Sequence, residues 1–236
     1  ICTIYLIYNL KKSSPYIFEN SDSRLEKNRI LKFSFYTGIM GSLLVLFGYI
    51  DIIIIGLFLE SSYVGFYGAA LALTGGIWAF INISYVLLPI FTKMKNHDLE
   101  TSINKVFRYI SILAIPAIFG IFILGKYIIK IIYGADYLPA VLPFYILSIL
   151  ILLVPINSTL VSLFSAKEKP GPVINLILFA LLLNIILDVV LIKYLSNWSF
   201  NLGIAGAAIA TILSELFYLS GLVKHTKKEL KLNLKT

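Results

Sequence analysis

The chain has 236 residues, 59% of them hydrophobic and 14% charged, with a net charge of +8 and a mean hydropathy of +0.91. A soluble domain carries roughly 45–50% apolar and about 25% charged residues, so this composition excludes an ordinary soluble domain and indicates an all-α polytopic membrane protein. The single cysteine, Cys2, excludes an internal disulfide and a cysteine-built metal site.

In chain order, residues 1–10 (ICTIYLIYNL) are apolar but too short to span, with no positive leader or cleavage site. They read as the end of a preceding transmembrane helix, and the chain as the C-terminal part of something larger. Residues 11–34 form the longest polar stretch and read as a cytoplasmic linker. Six apolar spans follow within 35–224, at about 35–59, 66–91, 109–133, 140–165, 172–195 and 202–223, and 225–236 reads as a basic cytoplasmic tail. Each span suits a bilayer core of roughly 30 Å at about 1.5 Å per residue. Pro116 and Pro155 lie inside spans and are expected to kink them, which membrane helices tolerate. The ten-residue alternation of a β-barrel is missing.

Apart from Lys126, Lys130 and Lys193, every Lys and Arg falls in 11–32, 92–108, the turn after Ala166 or the tail. Alternate connections share a side when six spans lie between the first and the last of these segments. The positive-inside rule then puts both ends of the six-helix unit in the cytoplasm of a plasma-membrane protein. The basic excess is thus a topology signal, with the tail able to touch anionic lipid, and not a nucleic-acid surface.

Small residues mark expected helix contacts. Gly203, Ala207 and Thr211 recur every four residues in the sixth span, with Gly206 and Ala210 beside them. Gly65, Ala69, Ala72 and Gly76 form a similar stripe in the second, and Gly38 and Gly41 suggest another in the first. Such spacing lets membrane helices approach closely.

Ionisable residues inside the spans are the functional candidates. Asp51 lies in the outer half of the first span, where a carboxylate costs on the order of 2.5–3.5 kcal/mol on insertion scales. It faces either a transport path or a partner on a neighbouring helix. Asn184 and Asp188 are four apart and share a face of the fifth span, as coupling groups or as interhelical glue. Glu215 lies near the middle of the sixth span. Lys126 and Lys130, also four apart, either snorkel to headgroups or offer an anion site.

Four stretches in order carry a resemblance. They are Tyr49–Gly56 (YIDIIIIG) with Val64–Ala70 (VGFYGAA), Leu87–Pro89 (LLP), Ile131–Tyr137 (IIYGADY), and Leu183–Asp188 (LNIILD) leading to Gly203–Thr211 (GIAGAAIAT). Together they resemble the C-terminal half of a polysaccharide or O-antigen flippase, of the multidrug/oligosaccharidyl-lipid/polysaccharide exporter superfamily. The resemblance implies two six-helix bundles around a central cavity, of which this chain is the second, and alternating access between them. It implies an isoprenoid-linked oligosaccharide as substrate, flipped from the inner to the outer leaflet for surface polysaccharide synthesis. It also implies the bilayer and the missing N-terminal half as partners, and no cofactor beyond proton or sodium coupling. Two departures stand out. The family's cavity carries Arg or Lys, but none lies mid-span here, which leaves the missing half or Lys126 and Lys130 to supply it. Asp188 stands where the family has a second Asn.

Two other functions compete. A cation-coupled multidrug exporter of the same superfamily wants cavity acids, and Asp51 and Glu215 are available. A membrane glycan polymerase or ligase needs a sizeable outer loop with Arg or His for acid–base work. The outer connections are short, and both histidines, His97 and His225, lie on the expected cytoplasmic side. No nucleophile–base pair, His/Cys metal cluster or glycine-rich phosphate loop is present, so an enzyme is not expected.

Overall fold

A computed structural model describes residues 24–94 and 96–230. Residues 1–23 and 231–236 lie outside the described residues, and with them the preceding-helix reading of 1–10, most of the linker and the end of the tail. The chain divides into two compact units, Ile1–Phe35 and Tyr36–Thr236. Of the first, the opening turns of one helix are described; all packing below belongs to the second.

The described residues are helical and contain no strand. Helix α1 is Arg24–Phe58, α2 Ser61–Ile81, α3 Ser84–Lys93 and α4 Asn96–Tyr133. A 3-10 segment, Ala135–Ala140, leads into α5, Val141–Leu147, then α6, Leu150–Ala166, α7, Gly171–Ser196, and α8, Phe200–Leu230. Five helices are long and apolar enough to cross a membrane, and six spans result if the bent pair Ala135–Leu147 and Leu150–Ala166 counts as one. The chain is an all-α polytopic membrane protein.

The helix ends differ from the apolar limits for local reasons. α1 begins at Arg24, inside the stretch taken as a linker, because Arg24–Phe33 is rich in helix formers. α4 begins at Asn96, well before residue 109, because its first turns are amphipathic: Leu99, Ile103, Val106, Phe107 and Ile110 are buried at helical spacing. The second apolar stretch is one span in sequence but two helices in structure. Asn82 is extended and its Oδ1 accepts the Ser84 N–H at 3.1 Å, an Asx turn that stops α2 and starts α3. The break is held against α6: Ser84 Oγ lies 3.3 Å from Thr159 Oγ1, and Ser162 Oγ donates to the Ser84 carbonyl at 3.2 Å.

The fourth span bends by 47° at Ser148–Ile149, ahead of Pro155. Ser148 Oγ donates to the Tyr145 carbonyl at 2.6 Å, a local bond that competes with the helical ladder. α4 is one helix through Pro116 and ends at Gly134, whose φ of +93° suits glycine. α6 ends in a Schellman motif with Glu168 in the left-handed region: Glu168 N–H donates to the Ser165 carbonyl and Lys169 N–H to that of Phe164.

The connections gather at two ends of the bundle. At one end, Tyr63 meets Phe66 and Phe200, Phe66 meets Tyr137, Tyr137 stacks on Tyr133, and Lys193 Nζ lies 4.9 Å above the Phe58 ring. These residues start or end α1, α2, α4, α7 and α8, as alternating spans require.

α8 is the most buried span and forms its largest interface with α7. The small-residue stripe explains why. A Cβ on Gly206 would sit 3.0 Å from the Leu191 carbonyl, and one on Gly203 would sit 3.3 Å from Ser196 Cβ. Ala207 and Ala210 are fully buried beside them. The other two stripes behave differently. Ala69 is buried and Gly65 lies under the Tyr137 hydroxyl, but Ala72 and Gly76 face outward; the buried line of α2 is Tyr67, Ala70 and Thr74. No atom lies within 4 Å of a Cβ placed on Gly38 or Gly41. α1 keeps its backbone farther from the other helices and is held by the buried side chains of Met40, Phe47, Asp51, Ile54 and Ile55.

Candidate functional site

Asp51 is carried on the inward face of α1, four residues after Phe47 and three before Ile54, so the turn that buries those apolar side chains also buries its carboxyl. It is 1% exposed. Tyr67, from α2, donates its hydroxyl to Asp51 Oδ2 at 2.6 Å. Thr211, from α8, lies 2.6 Å from the same oxygen, 3.1 Å from the Tyr67 hydroxyl and 3.0 Å from the Ala207 carbonyl. Its one hydrogen is therefore divided between two acceptors. Asn184 and Asp188, one turn apart on α7, complete the group, both fully buried and beside the Asp51 carboxyl.

The unmet valences of this cluster are its chief chemical feature. Asp51 Oδ1, both Asp188 oxygens and both amide atoms of Asn184 are buried without a hydrogen bond of ordinary length, although Asn184 and Asp188 stand near enough to the Asp51 carboxyl to interact with it. Buried polar groups are nearly always paired, so a group of open oxygens at one point calls for a ligand. Neither Lys, Arg nor His occurs among the described buried residues, so no side-chain cation is buried with the two carboxyls. An apolar interior tolerates such a pair only when one carboxyl holds a proton or a cation is bound between them. The open Asp51, Asp188 and Asn184 oxygens, with the Thr211 hydroxyl, form a donor set of the kind hard cations take. Among the described residues no group of three or more His, Cys, Asp or Glu is placed to hold a metal ion.

One turn along α8 from Thr211, Glu215 is half-buried and accepts a hydrogen bond from Asn157 Nδ2 at 2.5 Å. Lys126 and Lys130 are exposed on α4, not buried beside these acids.

Comparison with known proteins agrees with the fold. The polysaccharide biosynthesis protein family matches residues 4–142, more than half of the chain. The chain belongs to that family. Its similarity extends further along the sequence: over 211 residues, 87% of the chain, it is 29% identical to the probable low-salt glycan biosynthesis flippase Agl15 of Haloferax volcanii. The chain spans 41% of that relative's length. No solved structure matches it.

In this polysaccharide biosynthesis protein, the structure joins Asp51 to the Asn184–Asp188 pair, which the sequence places on one face of another span. Thr211, a packing residue by its spacing, packs and also bonds Asp51. Tyr67 and Asn157 carried no signal of their own, since an aromatic or an amide in a membrane span is ordinary. The one cue for Tyr67 was its place in the Val64–Ala70 stretch.

Proposed function

We propose that this chain forms one bundle of a transporter that flips a lipid-linked glycan from the inner to the outer leaflet by alternating access. In this reading inward movement of a sodium ion drives the cycle, and both ends of the six-helix unit face the cytoplasm. The observation that carries the coupling is the open oxygen cluster of Asp51, Asn184 and Asp188 with Thr211, drawn from three helices. Membership of a polysaccharide biosynthesis family and likeness to a protein named as a glycan flippase support the cargo.

The mechanism follows from where those three helices lie. A cation bound between α1, α7 and α8 cross-links them and offsets the mutual repulsion of two carboxyls. Without it, α1, which has few close backbone approaches, is the element freest to part from α7 and α8. Ion binding thus favours one arrangement of the bundle over another, which is what coupling requires. The reading is of a transporter: the cluster offers ligands for an ion, and the relative described above is named as a flippase.

The test is flipping of a fluorescent isoprenoid-linked oligosaccharide in proteoliposomes carrying the full-length protein, with a sodium gradient imposed at constant pH. Asp51→Asn should reduce the rate about tenfold or more, with the protein still folded and inserted, as expected for loss of a charged ligand. Normal transport by Asp51→Asn with reduced yield would make the carboxyl structural only. A rate that follows a pH gradient and ignores sodium would give the site to a proton.

A further inference from the structure

The coupling reading leaves a second set of polar side chains on α8 without a task. Thr211, Ser214, Glu215 and Tyr218 recur at intervals of three and four, so they share one face of the helix. Glu215 follows Thr211 by one turn, about 6 Å along the axis at 1.5 Å per residue. Ser214 just before it, Tyr218 three residues after it and Asn157 bonded to it each carry an open oxygen. Ser214 Oγ, the Tyr218 hydroxyl and Asn157 Oδ1 are buried and have no hydrogen-bond partner. Their residues are 0%, 1% and 4% exposed.

Asn157 ties one of these oxygens to Glu215 directly: its Nδ2 donates to Glu215 Oε2 and leaves its Oδ1 free. The Tyr218 hydroxyl is within electrostatic reach of Glu215, and Glu215 is within reach of Asp51. The Tyr218 ring packs edge-on against Phe47 of α1, one turn from Asp51. Simple interhelical adhesion explains the Asn157–Glu215 bond but not the three open oxygens, because a fully buried hydroxyl without a partner is costly and rare. Glu215 is only partly buried, whereas Asp51 is 1% exposed.

We propose that Glu215, Asn157, Ser214 and Tyr218 form a second station for the same monovalent cation, through which it passes between the Asp51 site and the basic end of α8. The proposal rests on the reading of the Asp51 cluster as a sodium site. It makes α8 the rail of the ion path: Thr211 serves the first station and Ser214, Glu215 and Tyr218 the second, a helix turn apart. It also assigns a purpose to Asn157, which holds the Glu215 carboxyl against the helix and presents an oxygen to the ion.

The test uses radioactive sodium on the purified full-length protein, with equilibrium binding measured first and release after dilution into sodium-free buffer second. Glu215→Gln should keep saturable sodium binding yet release the ion about tenfold more slowly, as expected when a charged intermediate ligand is lost. Tyr218→Phe, which removes one oxygen and keeps the ring on Phe47, should slow release by a smaller factor. Wild-type release rates in both variants would overturn the proposal. So would a Glu215→Gln variant that loses equilibrium binding as completely as Asp51→Asn, since Glu215 would then belong to a single site. If Glu215→Gln does not fold, Tyr218→Phe decides alone. Failure of the underlying reading is a separate result: no saturable sodium binding by wild type, or undiminished binding by Asp51→Asn.

Discussion

Gly206→Ala adds one methyl group at the closest approach of α7 and α8, and its cost can be worked from the geometry. The new Cβ would stand 3.0 Å from the carbonyl carbon and oxygen of Leu191 and 3.1 Å from Leu195 Cδ1. Carbon atoms rest about 3.5–4.0 Å apart, so α7 must retreat by roughly 0.5 Å, which forfeits about a quarter of the dispersion energy along that face. Overpacking of this kind costs about 1–3 kcal/mol, offset by up to about 1 kcal/mol because alanine is the better helix former. The expected net loss is about 1–2 kcal/mol, read as the shift in an SDS unfolding curve of the protein in mixed micelles. The obstacle is backbone, so no side-chain rotation relieves it. Two other glycines bracket the result. Gly76→Ala meets no atom within 4 Å and should be neutral or stabilising, whereas Gly221→Ala meets Leu176 Cδ2, the end of a side chain that can swing aside, and should fall between. α7 also holds Asn184 and Asp188 beside Asp51, so on the proposed sodium reading Gly206→Ala should weaken sodium binding as well. Equal stability of Gly206→Ala and Gly76→Ala would refute the argument that close backbone approach sets the α7–α8 interface.

Two further outcomes follow from single contacts. Tyr67→Phe keeps the fully buried ring and deletes the donor to Asp51 Oδ2, so it should cost about 0.6–1.7 kcal/mol in the same unfolding assay, the range found for hydrogen bonds between membrane helices. An unchanged unfolding curve would show that the hydroxyl contributes nothing to stability. Gly134→Ala forces a side chain into a backbone conformation with φ at +93°, ψ at 176°, and should cost about 1–3 kcal/mol although the space beside it is open. A loss below about 0.5 kcal/mol, the scatter of ordinary surface substitutions, would mean that the turn relaxes.

The sequence by itself determined the solvent of this protein and which stretches of its chain are apolar enough to cross it. A bilayer of fixed thickness demands about twenty apolar residues per crossing, and that requirement is local, so composition and runs of Leu, Ile and Phe suffice to place the spans. The cost of a charge in hydrocarbon is local too, which is why Asp51, Asn184 and Asp188 could be singled out before any fold was known. That Gly203, Gly206 and Ala207 mark a close helix contact was likewise legible, though not that α7 is the helix they meet.

Only the tertiary structure decided what those residues meet. Hydropathy fixes where a helix enters and leaves the bilayer but not its rotation about its own axis, because lipid is as apolar as a neighbouring leucine and packing alone sets the angle. Rotation turned Ala72 and Gly76 outward and Tyr67 inward on the same helix. It brought Thr211 to Asp51 across 160 residues of chain, and so made a packing residue into a bonding one. It also put Lys126 and Lys130 on an exposed face. The breaks at Asn82 and Ser148 belong to the same class, since each depends on which acceptor or donor a short polar side chain finds once its neighbours are in place.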